Sequence, residues 1–119
     1  YEAIDDTPAT LSPRLMRLIR EDIGFDNLVM TDDISMKALQ GAPGQIARDA
    51  LDAGCDVALY CNASLEDRRA VADAAGRMTP ATQIRAERAL AARTSPADVD
   101  ISALKAKLAA LTGGATAHG

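Results

Sequence analysis

The hydrophobic positions of this chain follow two different periods, one typical of amphipathic helices and one typical of buried strands. Apolar side chains recur three and four residues apart over residues 15–23, which predicts a helix that Ser12 caps at its start and Gly24 ends. Residues 28–30 are continuously apolar. This run predicts a strand over residues 27–31 that is buried on both faces, as in a parallel sheet.

The same two patterns recur further along the chain. After an irregular segment at 34–44, the pattern predicts a helix over about 45–53, which Gly54 ends, and a second buried strand over 55–61. Three more helices and a tail follow. They are a helix from the cap Ser64 to about Met78, a helix from Pro80 to about Arg93, an amphipathic helix over about 101–111 and a Gly- and Ala-rich tail at 113–119.

Strands that alternate with helices indicate an α/β fold with a parallel sheet and right-handed crossovers. Two strands alone do not make a stable parallel sheet that is covered on both faces. We therefore expect the sheet to continue in residues outside this chain, or in a partner.

Composition and charge argue against several classes of function. The 119 residues are 48% hydrophobic and 25% charged, as in globular proteins rather than disordered ones. The formal net charge of -4, the lack of a basic cluster and an aromatic content of 3% argue against a nucleic-acid partner. No apolar run approaches the roughly 20 residues of a membrane-spanning helix, so we expect no membrane partner.

The two cysteines indicate a reducing compartment. Cys55 and Cys61 fall on one predicted strand, where their separation in sequence corresponds to roughly 20 Å. A disulfide needs Cα atoms within about 7 Å, so these two residues cannot pair there. Free cysteines that pack as small core residues suit the cytoplasm, which is the location that we expect.

A pair of acids follows the first predicted strand. Active sites of parallel α/β folds form where strands end and the following loops begin, and Asp32 and Asp33 precede an unusually long loop. Neighbouring side chains on a strand point to opposite faces. We therefore expect one acid to be catalytic and the other to cap the loop or bind a backbone N–H. The structural alternative is that an aspartate here only satisfies backbone donors.

The acidic pair belongs to a set of short motifs within residues 1–75. The motif Thr31-Asp32-Asp33-Ile34-Ser35-Met36 is specific together with the upstream Pro8-Ala9-Thr10-Leu11-Ser12, and much weaker alone. The other pieces are Tyr1-x-Ala3-x-Asp5, Ile23-Gly24-Phe25-Asp26, Ala53-Gly54-Cys55-Asp56 and Tyr60-Cys61-Asn62. Together these motifs resemble the bacterial β-N-acetylhexosaminidases of glycoside hydrolase family 3.

The resemblance implies a (β/α)8 TIM-type barrel, of which this chain supplies the C-terminal portion, namely the last two βα units and the C-terminal helices. On this basis residues 1–93 are the C-terminal part of the barrel domain, residues 94–112 a C-terminal helix and residues 113–119 a flexible tail. The first acid of the family's motif is the nucleophile of a retaining glycosidase, and Asp32 matches it. Met36, on the same loop, is a weaker candidate for lining the sugar pocket.

The resemblance also implies the substrate and the parts of the site that lie elsewhere. The substrate class is terminal β-N-acetylglucosamine, including muropeptides released during peptidoglycan recycling. The acid/base of this branch is a His that works with an Asp on an upstream loop, and His118 is not expected to replace it. Asn62 could shape the pocket rim, although an Asn at a strand exit is usually a turn residue. We therefore expect this chain to need the missing N-terminal barrel residues and to be inactive alone.

Two other functions stay open on the residues themselves. A response-regulator receiver also places an aspartate at a strand end, but it needs an acidic pair after an earlier strand and a Lys after a later one. A non-catalytic interaction fragment would use the Ala-rich helices as its binding surface and would not need Asp32. No His/Cys cluster with ligand spacing is present, so we expect no metal and no other cofactor.

Overall fold

The computed structural model describes residues 3–61 and 63–113, which form an α/β arrangement around two parallel strands. In chain order the elements are a 3₁₀ turn at Ala9–Leu11, α1 at Pro13–Arg17, a π-helical segment at Leu18–Asp22, β1 at Met30–Asp33, α2 at Pro43–Ala53, β2 at Val57–Leu59, α3 at Leu65–Ala75, α4 at Pro80–Ala91 and α5 at Ile101–Leu111. The predicted order of elements and the parallel pairing are confirmed. The predicted tail from residue 114 onward lies outside the described residues.

Local signals in the sequence place the helix ends. Ser12 and Ser64 cap α1 and α3, since their hydroxyl oxygens accept the N–H groups of Leu15 and Asp67 at 3.0 and 3.1 Å. Each serine thereby satisfies an N–H of the first turn that has no partner within the helix. Gly54 ends α2 in the left-handed conformation, with a φ of 119°. The predicted caps Ser12, Ser64 and Gly54 are confirmed.

The first helix differs from its prediction. Predicted as one continuous helix, it is α-helical only over Pro13–Arg17, and Leu18–Asp22 forms wider π-helical turns. Arg20, within these turns, donates to the carbonyl oxygens of Phe25 and Asn27 at 2.9 and 2.6 Å. The wider turn coincides with a side chain that is anchored on the loop leading into β1, an interaction that helix periodicity does not reveal.

Both strands are shorter than predicted, and the first begins later. β1 covers Met30–Asp33 rather than residues 27–31, so the acidic pair lies within the strand instead of after it. The reason lies just before the strand, where the N–H of Val29 donates to the carboxylate of Asp56 at 2.9 Å. The carbonyl oxygen of Val29 still accepts the backbone N–H groups of Asp56 and Val57, so a side chain replaces only the bond that the Val29 N–H would make in the ladder. β2 has 3 residues and does not extend over the predicted 55–61.

The prediction that the first strand is buried on both faces is wrong for the described residues. The side chain of Met30 is 55% exposed, whereas Thr31 beside it is buried. α2 packs against the sheet through the cluster that contains Ile46 and Ala47. No element among the described residues covers Met30, so the two sides of β1 have different surroundings.

Within the described part of the chain, α2 supplies four of the nine buried hydrophobic residues, more than any other element. Its buried face contributes to two clusters, Ile34, Leu39, Ile46 and Ala47 beyond the carboxyl end of β1, and Met16, Ala53 and Cys55 before β2. Gly44, in the first turn of α2, permits close contact with α3, because a Cβ atom there would lie 2.9 Å from the carbonyl oxygen of Ala70. The core is therefore formed by small aliphatic side chains between closely packed helices.

Both cysteines are unpaired, as predicted. Cys55 is buried, and burial, together with the charge of the adjacent Asp56, raises the pKa of its thiol. The thiol is therefore protonated at neutral pH and packs as a small apolar group.

α5 is confirmed at its predicted bounds. Its largest apolar side chains are each more than half exposed, namely Ile101, Leu104, Leu108 and Leu111. Within the described ranges, every helix is too short or too polar to span a bilayer.

A buried aspartate links four separate segments of the chain. The side chain of Asp56, at the start of β2, is 3% exposed. Its carboxylate accepts hydrogen bonds from the guanidinium of Arg20 and from the N–H of Val29. It also accepts from the Thr82 hydroxyl at 3.1 Å and from the Arg85 guanidinium at 3.0 Å.

These donors determine the charge state of Asp56. Burial by itself would raise the pKa of this carboxyl, but the N–H of Val29 and the guanidinium groups of Arg85 and Arg20 outweigh burial and hold the pKa below its ordinary value. The carboxylate is therefore ionised at neutral pH, and its two cationic partners compensate for its removal from water.

We expect Asp56→Asn to lower the free energy of unfolding of the complete protein by about 3 kcal/mol, because two partly buried guanidinium groups would lose their anion. Urea unfolding at neutral pH measures this loss. The matched control is Asp26→Asn, since Asp26 is 67% exposed and pairs with Arg85 and Arg88 at the surface. We expect the control to cost less than about 1 kcal/mol. A loss for Asp56→Asn no larger than that of the control would contradict this assignment.

Candidate active site

The carboxyl end of the sheet gives the two adjacent acids different surroundings. Asp33 accepts hydrogen bonds from the N–H and hydroxyl of Ser35 at 3.0 and 2.7 Å, and from the N–H of Cys61 at 3.1 Å. The backbone of Ser35 first, then its hydroxyl and the N–H of Cys61, hold the pKa of Asp33 below its ordinary value. Asp33 thus links the end of β1 to the chain after β2 and shapes the turn that follows β1.

Asp32 is more open. Its side chain is exposed, and its Oδ1 accepts the N–H of Asp33 at 2.8 Å. Within residues 3–61 and 63–113 this is the one hydrogen bond to that carboxylate. A carboxylate with so few partners is available to a ligand or to a reacting atom.

A cavity of about 450 Å³ lies beside β1 and includes Asp32 in its wall. Most of the other described lining side chains are aliphatic. They come mainly from α1, from the π-helical segment and from the residue before β1, and include Leu15, Leu18, Ile19 and Val29. Asp32 is the one charged side chain among the described residues that line it. Sugar hydroxyls need several polar partners, so these walls suit the packing of another secondary-structure element better than a sugar.

A second cavity, of about 480 Å³, lies at the opposite end of the sheet between α2, α3 and α4. Its lining includes Asp56, Arg85, Arg48 and Arg77. Reactive groups of parallel α/β folds lie at the carboxyl ends of the strands, whereas this cavity borders the amino end of β2. The acids of β1 are therefore the better candidate site, although the cavity beside them is slightly smaller.

The structure does not place Met36, the weaker candidate from the sequence, in the cavity that contains Asp32. Met36 lies on the turn after β1, 40% exposed, and is absent from the lining of the cavity that contains Asp32. Its N–H donates to the carbonyl oxygen of Asp33 at 3.2 Å. Asn62 and His118 lie outside the described residues. Among the residues that are described, no three His, Cys, Asp or Glu side chains converge as a metal site.

Sequence reasoning missed Thr31, the residue before the acidic pair. Thr31 is buried, and its Oγ1 accepts the N–H of Leu59 at 2.9 Å. The available signal was a hydroxyl residue placed directly beside two acids at the end of an apolar run. The partner of this hydroxyl could not be foreseen, because it lies on the other strand.

The sequence is similar to known glycoside hydrolases over most of its length. The family model described as the N-terminal domain of glycosyl hydrolase family 3 matches residues 1–93. A beta-hexosaminidase of Shewanella frigidimarina is 41% identical over 68 residues, which cover 55% of this chain and 20% of that protein. A beta-hexosaminidase of Stenotrophomonas maltophilia is 44% identical over 70 residues, covering 56% of this chain and 21% of that protein. The matching part thus spans about a fifth of the length of these curated relatives.

We expect Asp33 to make stability depend on pH in the acid range. Because its folded-state pKa is below the ordinary value of 3.8, its contribution is fully present above that value and is lost as pH falls through the lower folded value. The difference in unfolding free energy between the wild type and Asp33→Asn should therefore shrink from about pH 6 to about pH 3, as measured by urea unfolding of the complete protein. Asp73→Asn, at an exposed position of α3, controls for the loss of one carboxylate. A difference that stays constant over this range would show that Asp33 does not hold these bonds as an anion.

Proposed function

This chain belongs to glycoside hydrolase family 3, and we propose that the complete protein is a β-N-acetylhexosaminidase with Asp32 as its nucleophile. The observation that carries the proposal is the contrast between the two acids. Asp33 is engaged by three donors, whereas Asp32 is exposed at the carboxyl end of β1 and keeps most of its acceptor capacity. That is the state required of a carboxylate that attacks a substrate.

The proposed reaction is retaining hydrolysis in two steps. In the first, an Asp32 oxygen forms a bond to the anomeric carbon while the bond from that carbon to the leaving oxygen breaks, and an acid protonates the leaving oxygen. In the second, water attacks the anomeric carbon, the bond to Asp32 breaks, and the same group takes the proton of the water. The N–H of Asp33, which donates to Asp32 Oδ1 at 2.8 Å, orients the carboxylate.

We further propose that residues 1–93 are the C-terminal part of a (β/α)8 barrel and that residues 94–112 add a C-terminal helix. β1 with α2 and β2 with α3 would then be the last two βα units. The parallel pairing, the exposed Met30 and the aliphatic cavity beside β1 support this arrangement. The family match, which ends at residue 93, agrees with the proposed boundary.

The remaining parts of the site lie outside this chain in this proposal. The acid/base and the side chains that bind sugar hydroxyls would come from the preceding barrel residues, so the chain alone would be inactive. We propose a cytoplasmic enzyme that acts on N-acetylglucosaminides, including muropeptides of peptidoglycan recycling, without a metal or cofactor and without nucleic-acid or membrane partners. The unpaired cysteines support the proposed compartment, and the similarity to beta-hexosaminidases supports the proposed class of substrate.

We expect Asp32→Asn to lower kcat of the complete protein by at least about a thousandfold, because an amide cannot form the glycosyl-enzyme. The direct measurement is intact mass and peptide mapping after incubation with a 5-fluoro N-acetylglucosaminide, which traps that intermediate. The label should be on the peptide that contains Asp32 in the wild type and in the Asp73→Asn control. The fragment of 119 residues, treated in parallel, should remain unlabelled.

Two results would contradict the assignment. One is a complete protein that turns over aryl N-acetylglucosaminides but carries the label elsewhere or not at all. The other is an Asp32→Asn variant with wild-type activity.

A further inference from the structure

The two strands pair with an irregular register next to Asp32. Met30 is opposite Val57 and Asp33 is opposite Leu59, so β1 advances three residues while β2 advances two. The extra residue in β1 is a bulge. Bulges interrupt the ladder, bend the strand and change the direction of a side chain.

Side chains replace the ladder bonds across this bulge. The N–H of Leu59 donates to Thr31 Oγ1 at 2.9 Å, and the N–H of Cys61 donates to Asp33 Oδ1 at 3.1 Å. Between these two bonds, the N–H of Ile34 donates to the carbonyl oxygen of Leu59 at 2.9 Å. The bulge is therefore closed by two side-chain acceptors, one on each side of Asp32.

This pattern places Asp32 between two neighbours whose side chains are hydrogen-bonded to the segment around β2. Thr31 and Asp33 both direct their side chains to the N–H groups of the neighbouring segment, and Asp32 lies between them in the lining of the cavity beside β1, to which Thr31 also contributes. The N–H of Asp33 in turn donates to Asp32 Oδ1. The bonds that hold Asp33 therefore also hold the donor that orients the carboxylate.

We infer that Thr31 and Asp33 are positioning residues for Asp32: their bonds to the N–H groups of Leu59 and Cys61 hold the bulge that directs the Asp32 carboxylate. This inference rests on the proposed function of Asp32. It goes beyond that function because it assigns a role to two neighbours that do not react themselves.

The role has a measurable consequence for the rate. A nucleophile must be held within reach of the reacting atom, and a misplacement of about 1 Å costs on the order of a hundredfold. Thr31 is 5% exposed, so water does not readily replace its hydroxyl as the acceptor for Leu59. Loss of this hydroxyl should therefore let the bulge relax and move Asp32 away from its reactive position.

The test compares Thr31→Val, Thr31→Ser and Thr82→Val in the complete protein. Thr31→Val removes the hydroxyl at nearly constant volume, and Thr31→Ser keeps it. Thr82→Val removes another buried threonine hydroxyl, one that bonds to Asp56 at the opposite end of the sheet, and serves as the control for lost stability. The measured quantities are the maximal rate of glycosyl-enzyme formation with the 5-fluoro probe, the probe concentration at half that rate, and the urea midpoint.

We expect Thr31→Val to lower the maximal labelling rate by about tenfold to a hundredfold, with little change in the half-saturating concentration. Thr31→Ser should label at close to the wild-type rate. Thr82→Val should lower the urea midpoint without changing the labelling rate. Labelling of Thr31→Val at the rate of Thr82→Val would overturn the inference.

A second pair of variants keeps the test decisive if Thr31→Val does not fold. Asp33→Ala removes the acceptor for Cys61 and should slow labelling, whereas Asp33→Asn keeps an oxygen there and should slow it less. If both variants are labelled at the wild-type rate on the peptide that contains Asp32, the inference is overturned but the nucleophile assignment stands. A label on another peptide of the wild type would instead overturn the nucleophile assignment, and this inference with it.

Discussion

The relative positions of the π-helical segment, the two strands and α4 depend on one interaction, the buried carboxylate of Asp56. It lies at the start of β2 and accepts hydrogen bonds from the π-helical segment, from the residue before β1 and from α4. A buried charge is costly unless it is paired and hydrogen-bonded, so these donors must be in place together. One side chain thereby sets the relative positions of segments that are far apart in the sequence.

The two ends of the sheet differ in function: the amino end stabilises the fold, and the carboxyl end carries the proposed nucleophile. At the amino end, Asp56 uses both carboxylate oxygens to stabilise the fold. At the carboxyl end, Thr31 and Asp33 bond to the neighbouring segment, which leaves Asp32 open. Parallel α/β proteins often separate stability and chemistry in this way, because changes at one end of the strands then do not disturb the other.

The exposed apolar surface beside β1 connects the fold to the proposed function. Met30 is 55% exposed, and the cavity that contains Asp32 has mostly aliphatic walls. Contiguous apolar surface of this kind usually packs against another element. In the proposed barrel a preceding βα unit would cover it, and Asp32 would then face a pocket whose polar groups come from other strands. The acid and its bulge are thus the local part of a site that is completed elsewhere.

The sequence by itself determined the features that depend on residues close together along the chain. The caps at Ser12, Ser64 and Gly54, the bounds of α5 and the parallel pairing follow from local patterns. The tertiary structure alone decided the bulge in β1, which of the two adjacent acids is engaged, and the partners of Asp56. Strand register and ion pairs join residues tens of positions apart. Local periodicity and propensity do not predict which of these distant residues are in contact.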